Sequence, residues 1–143
     1  MTVEEKINEI FMGNYKAHYM LKKILSDKTL FIKNEEIKDL IFIRRESLDK
    51  QGLKSPAKLI IATNNEILIM KEGFNEIDEE ALGYEMIKVY YDKITGIKFD
   101  ICLLKGKFKV ITNSNDNISV EFNTGKYYKD FEKFIECVHN YLI

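Results

Sequence analysis

The chain has 143 residues, 45% hydrophobic and 31% charged, with a formal net charge of −1. That length suits a single domain with a real core, and the near-zero charge gives nucleic acid or an anionic membrane no strong long-range field, so any such binding has to be local. The basic residues are nearly all Lys, with Arg44 and Arg45 as the two arginines; Arg is the usual bidentate reader of phosphates and bases, so nucleic acid is not expected as a partner.

The opening MTVEEKINEIF does not read as a basic-then-apolar leader, and no apolar run approaches the length of a membrane span. Thr2 and Glu5 make the T-x-x-E pattern of a capping box. Val3, Ile7, Ile10, Phe11, Leu21, Ile24 and Leu25 then recur at helical spacing and predict one apolar face, with Asn14 and His18 on the same stripe. Gly13 is a weak point that divides this helix. Met12, Tyr15 and Tyr19 lie beside the stripe and give the helix a second apolar flank, which makes them candidate interaction residues.

Ser26 to Lys28 break the pattern. Asn34, Glu35 and Glu36 predict a helical turn with acids near its start. A first strand is expected from Lys38 to Ser47, followed by a loop from Leu48 to Lys58 that holds Gly52 and Pro56. Leu59 to Ala62 and Ile67 to Met70 flank Asn64-Asn65, a hairpin signal because Asn tolerates positive φ. The acidic segment from Glu72 to Gly83 predicts a solvated loop.

Tyr84 to Tyr91 reads as a strand, Asp92-Lys93 as a turn, and Ile94 to Ile101 as the next strand. Gly106 is expected to mark another turn. Phe108 and Val110, then Ile118, Val120 and Phe122, alternate with polar residues on either side of a polar turn from Asn113 to Asn117. Period two of this kind is antiparallel sheet with one wet face. Thr124-Gly125 closes the sheet. From Lys126 onward Tyr127, Phe131, Phe134, Ile135, Val138 and Leu142 return at helical spacing.

About seven short strands closed by one amphipathic helix is the layout of a pleckstrin-homology (PH) fold. Phe31-Ile32-Lys33-Asn34-Glu35-Glu36-Ile37 resembles the opening of bacterial PH-like domains, and Ile60 to Ile69 resembles their second hairpin. Tyr90-Tyr91-Asp92-Lys93-Ile94-Thr95-Gly96-Ile97 resembles their P-Y-D-K-I-T-S-I segment. The resemblance is to the bacterial PH domains of the YokE type, and it covers roughly Thr29 to Ile143. It departs at Glu66, where the family usually has a basic residue after the turn, and at Tyr90, which replaces Pro. It implies an α+β fold: a PH-like, partly open β-barrel of two antiparallel sheets capped by a C-terminal helix. An N-terminal helical extension over residues 1–28 then precedes a PH-like domain over 29–143.

Residues arranged for catalysis are sparse in the sequence. His18 sits on the apolar stripe of the first helix and His139 flanks the apolar face of the last, neither with an orienting partner in the sequence. Cys102 and Cys137 are two separate thiols, which fits a reduced, cytoplasmic chain. Cys137 also lies late in its helix, the wrong end for lowering a thiol pKa. No metal-ligand spacing or phosphate-binding glycine loop is present. The paired acids Glu35-Glu36 and Asp78-Glu79-Glu80 read as solvated. No cofactor or metal is therefore expected.

The candidate binding constellation is basic: Arg44, Arg45, Lys50, Lys54 and Lys58 around the first hairpin loop. Cations converging there could hold a compact polyanion, but Arg44 and Arg45 fall on opposite faces of a strand, and the acidic loop opposes membrane attraction. The expected function is a non-enzymatic module acting through protein contacts, with a protein partner or a second copy of itself. The alternative is peripheral lipid or phospholigand binding at the basic hairpin; membrane or lipid binding is the lesser expectation.

Overall fold

The computed structural model describes residues 2–13, 19–27, 30–47, 54–72, 84–102, 104–114 and 117–142. Helix α1 spans Val3–Met12, and the Thr2 side chain accepts from the Glu5 N–H at 3.1 Å, one arm of the expected capping box. Gly13 closes α1, its N–H donating to the Glu9 carbonyl. Helix α2 spans Tyr19–Ser26. The predicted helix is therefore split at the predicted glycine; Asn14, Tyr15 and His18 lie outside the described residues.

The strands are β1 (Ile37–Ile43), β2 (Glu46–Ser47), β3 (Lys54–Ser55), β4 (Lys58–Thr63), β5 (Glu66–Glu72), β6 (Tyr84–Tyr90), β7 (Ile94–Ile101), β8 (Lys105–Thr112) and β9 (Asn117–Asn123). A 3₁₀ turn, Tyr91–Lys93, joins β6 to β7, and helix α3 runs Thr124–His139. One antiparallel sheet has the order β1-β4-β5-β6 and the other β7-β8-β9, with a short β2-β3 ribbon beside them. Among the described residues no ladder joins the two sheets, so the barrel is partly open.

Two cores share the larger sheet. Its inner face carries Ile41, Ile43, Ile60, Ile67 and Ile69 against Phe108, Val120 and Phe122 of the second sheet and Phe131, Phe134 and Val138 of α3. Phe131 stacks on Phe122 with centroids 4.2 Å apart, and Phe134 meets Phe108 edge-on. Such pairs add about 0.5–1.5 kcal/mol beyond their burial. The outer face carries Leu40, Phe42, Leu59, Ile61, Leu68 and Met70 beneath Ile10, Met20, Leu21 and Ile24 of α1 and α2. Successive strand residues point to opposite faces. Burying both faces therefore explains the unbroken apolar runs of β4 and β5, where the later strands alternate.

Several expectations are corrected. Asn34 to Glu36 form no helical turn. The Ile32 carbonyl accepts from the Glu35 N–H at 3.1 Å with Asn34 at φ 70°, the positive φ that a type II turn needs at its third residue. The Asn64-Asn65 turn uses no positive φ; the Thr63 hydroxyl holds it by accepting from the Asn65 and Glu66 N–H groups, both at 3.0 Å. The first strand stops at Ile43 because the Arg44 N–H donates to the Tyr127 hydroxyl instead of a ladder partner.

In the predicted loop from Leu48 to Lys58, Lys54–Ser55 form β3; residues 48–53 lie outside the described residues. Glu72 is not in a solvated loop but is the buried last residue of β5, and residues 73–83 are outside the described residues. Gly106 sits inside β8 rather than in a turn, because the Phe122 ring covers it where a Cβ would stand. Helix α3 begins at Thr124, two residues early, since the Asn123 side chain caps it by accepting from the Gly125 N–H at 2.9 Å.

Candidate functional site

A groove of about 460 Å³ runs between α1, β1 and α3. Its floor is apolar, from Ile10, Leu40, Ile41 and Phe42, and its rim carries Lys6, Arg44, Lys126 and Lys133 against Glu9 and Asp130. Lys6 is ion-paired with Asp39. Two N–H groups along the β1 edge donate to side chains: Leu40 within the strand to the Asp39 carboxylate at 2.8 Å, and Arg44 just past its end to Tyr127 at 3.2 Å. These side chains occupy positions that an added strand would need, so the edge is protected against strand addition.

Of the basic residues predicted around the first hairpin, Arg44, Arg45 and Lys58 are turned to different surroundings. Arg44 is exposed and lines the groove. Arg45 turns to Glu72, its Nε donating to Oε1 at 2.7 Å and its guanidinium also ion-pairing with Oε2. Lys58 is buried, and its Nζ reaches the second sheet, donating to the Glu121 carbonyl at 2.9 Å. Lys71 does the same to the Ser119 carbonyl at 2.8 Å. Lys54 is placed by its backbone in β3, and Lys50 lies outside the described residues. Of the predicted interaction residues, Met12 is 86% exposed, Tyr19 is half-buried, and Tyr15 lies outside the described residues.

Two buried carboxylates bracket the outer core, at the two ends of β5. Period two puts Glu66, Leu68, Met70 and Glu72 on one face. Glu72 accepts from Arg45, from the Ala57 N–H at 2.9 Å and from the Tyr19 hydroxyl at 3.1 Å. Burial alone would raise its pKa; the Arg45 guanidinium, the Ala57 N–H and the Tyr19 hydroxyl outweigh burial and hold it below its ordinary value. Glu66 is the reverse. It is fully buried, and neither carboxylate oxygen has a hydrogen-bond partner. Lys88 Nζ stands 3.4 Å away. Burial, then the neighbouring Glu35 carboxylate, push Glu66 up to about 7.

Among the described residues the predicted reactive groups are not brought together. Cys102 is exposed just past β7. Cys137 is half-buried on α3, and burial pushes its thiol up, away from the reactive thiolate. His139 is the exposed last residue of α3. His18 and Asp78, Glu79 and Glu80 lie outside the described residues. Among the described residues no group of three His, Cys, Asp or Glu is placed to hold a metal ion, and no helix is long and apolar enough to cross a membrane.

No family model matches the chain, and no curated protein matches it. Among solved structures, a DUF1696 family protein with a pleckstrin-homology domain from Shewanella loihica is similar. It is 12% identical, with a TM-score of 0.55, and the alignment covers 89% of this chain and 97% of that one. The fold is PH-like. Two antiparallel sheets, the C-terminal helix and the N-terminal helices are as the sequence implied.

Sequence reasoning missed Glu66 and Glu72 as buried groups. The signal was present: both share a strand face with Leu68 and Met70, so reading β5 as buried on both faces would have flagged them.

Proposed function

We propose that this chain is a non-enzymatic PH-like binding and assembly module of the YokE type, acting in the cytoplasm through protein contacts that include self-association. One observation carries the reading. Large apolar side chains are exposed to solvent: Met12 at the end of α1, 86% exposed, and Leu104 in the β7–β8 connection, 78% exposed, with Ile101 and Tyr128 more than a third exposed. Ordered apolar groups in water favour a partner that covers them. The cations that could have built a polyanion pocket at the first hairpin are instead spent within the fold at Arg45 and Lys58, which supports protein contact over phosphate.

Light scattering at micromolar concentration tests the self-association. An oligomer that dissociates when Met12 or Leu104 is changed to Ser supports it, and a strict monomer across that range overturns it. A second reading rests on the groove, whose rim carries Arg44, Lys126 and Lys133 over an apolar floor. It would suit a ligand with an anionic head and an apolar body. Titration with a soluble inositol phosphate, with and without Arg44→Ala, tests that alternative.

A further inference from the structure

Glu66 is the least satisfied polar group in the described residues. Both its oxygens are buried without a hydrogen bond, where an ionised carboxylate is costly. Its neighbours explain how the site is tolerated. Lys88, on β6, reaches three groups at once. Its Nζ stands 3.4 Å from Glu66, donates to the Leu30 carbonyl, and lies 5.9 Å from the Phe31 ring centroid. Glu35 accepts from the Thr63 hydroxyl at 2.8 Å and from the Ile32 N–H at 3.0 Å. The Glu36 N–H donates to Asn64 Oδ1 at 2.8 Å. Every one of these bonds either ties the connection between α2 and β1 to the sheet or shapes that connection.

The charge count decides how the cluster behaves. Two carboxylates and one ammonium leave one negative charge in excess in a largely dry pocket. One proton on Glu66 balances it. We propose that Glu66, Glu35 and Lys88 form a proton-controlled latch that fastens the Leu30–Glu36 connection to the β4–β5 turn. With Glu66 neutral, Glu35 and Lys88 leave the cluster with balanced charge, and Lys88 keeps its bond to Leu30 and its place over the Phe31 ring. When Glu66 ionises, the two carboxylates repel, and the ammonium is drawn from Leu30 toward Glu66. The connection loosens.

The other ionisable groups packed near this site are Tyr91, Tyr141, Cys137, Glu36 and Lys38. The Tyr91 hydroxyl donates to the Thr63 carbonyl at 2.6 Å, and burial raises its pKa. Tyr141 stacks on Tyr91 with centroids 5.4 Å apart. Burial also raises Cys137. Glu36 and Lys38 pair with each other in solvent.

The folded value of Glu66, about 7, lies above its ordinary 4.5. The native state therefore holds a proton that the unfolded chain has lost, and the latch is tight below about 7 and released above it. Hydrogen exchange read by mass spectrometry on peptides covering 30–36 tests this. Corrected for intrinsic rates, protection should fall about tenfold between about pH 6 and about pH 8, and Glu66→Gln should remove that change. A flat profile in the natural chain, or the same profile in Glu66→Gln, overturns the latch. If Glu66→Gln does not fold, Glu35→Gln decides. Carboxyl ¹³C shifts should give Glu66 a midpoint near 7 in the natural chain, matching the exchange transition, and a lower midpoint in the variant. A Glu66 midpoint below about 5, or one that Glu35→Gln leaves unmoved, overturns the proposal.

Discussion

Replacing Glu72 by Ala should be among the most damaging single changes in this fold. The carboxylate is 2% exposed and its partner Arg45 only 13%. It joins four places in the chain: the end of β5, the Arg45 step after β1, the Ala57 N–H before β4, and Tyr19 at the start of α2. Removing one partner of such a pair leaves the other charge buried and unpaired, which costs about 3–5 kcal/mol. The Ala57 N–H would also be left buried without an acceptor, in the same direction. With a urea slope of about 2 kcal/mol per molar, the unfolding midpoint should drop by about 2 M. Glu72→Gln keeps an acceptor and nearly the same volume, and should lose less.

The pH dependence separates a charge effect from a packing effect. The native pKa of Glu72 lies below its unfolded value. Its contribution is therefore complete above the ordinary carboxylate range and is lost as pH falls through the native value. The gap between the natural chain and Glu72→Ala should be widest near neutrality and should shrink in acid. A gap under about 1 kcal/mol at neutral pH, where a buried pair is expected to be worth several times that, would refute the reasoning. So would a gap that stays constant into strong acid.

Phe134 is fully buried against Phe108, so Phe134→Ala should cost about 3–5 kcal/mol in urea unfolding; a loss near zero would mean that the ring is not enclosed. Gly106→Ala places a methyl group where the Phe122 ring lies, and the thermal midpoint should fall in line with an overpacking cost of about 1–3 kcal/mol. The first hairpin should not bind phosphoinositide vesicles at micromolar or tighter affinity, since Arg45 and Lys58 have internal partners. Vesicle sedimentation checks this, and tight binding lost on changing Lys50, Lys54 and Lys58 to Ala would refute it.

The strands and the last helix were legible because their signals are local. Alternation in β8 and β9, the 3.6-residue period of α3 and the glycine break after α1 each depend on a few neighbouring residues. Errors arose where a long-range contact overrides local preference. Gly106 is a turn residue by type, but Phe122 from the next strand needs its missing side chain. The Arg44 step ends β1 because Tyr127, 83 positions later, takes its N–H. Residue type and spacing do not carry that information.

The internal partners of Arg45 and Lys58 are hidden in the sequence for a related reason. A sequence shows charge but not what faces it. Lysines and arginines beside a hairpin look like a ligand site when the acids and carbonyls that absorb them are distant in the chain, as Glu72 is from Arg45 and Glu121 from Lys58. Glu72 likewise reads from the sequence as part of a solvated loop. Yet a fold with apolar layers on both faces of one sheet has no wet face at its central strands, so a charge there needs a built partner. Glu72 has a complete one and Glu66 an incomplete one. That difference, between two residues of one type on one strand face, makes the first a fixed anchor and leaves the second free to respond to protons.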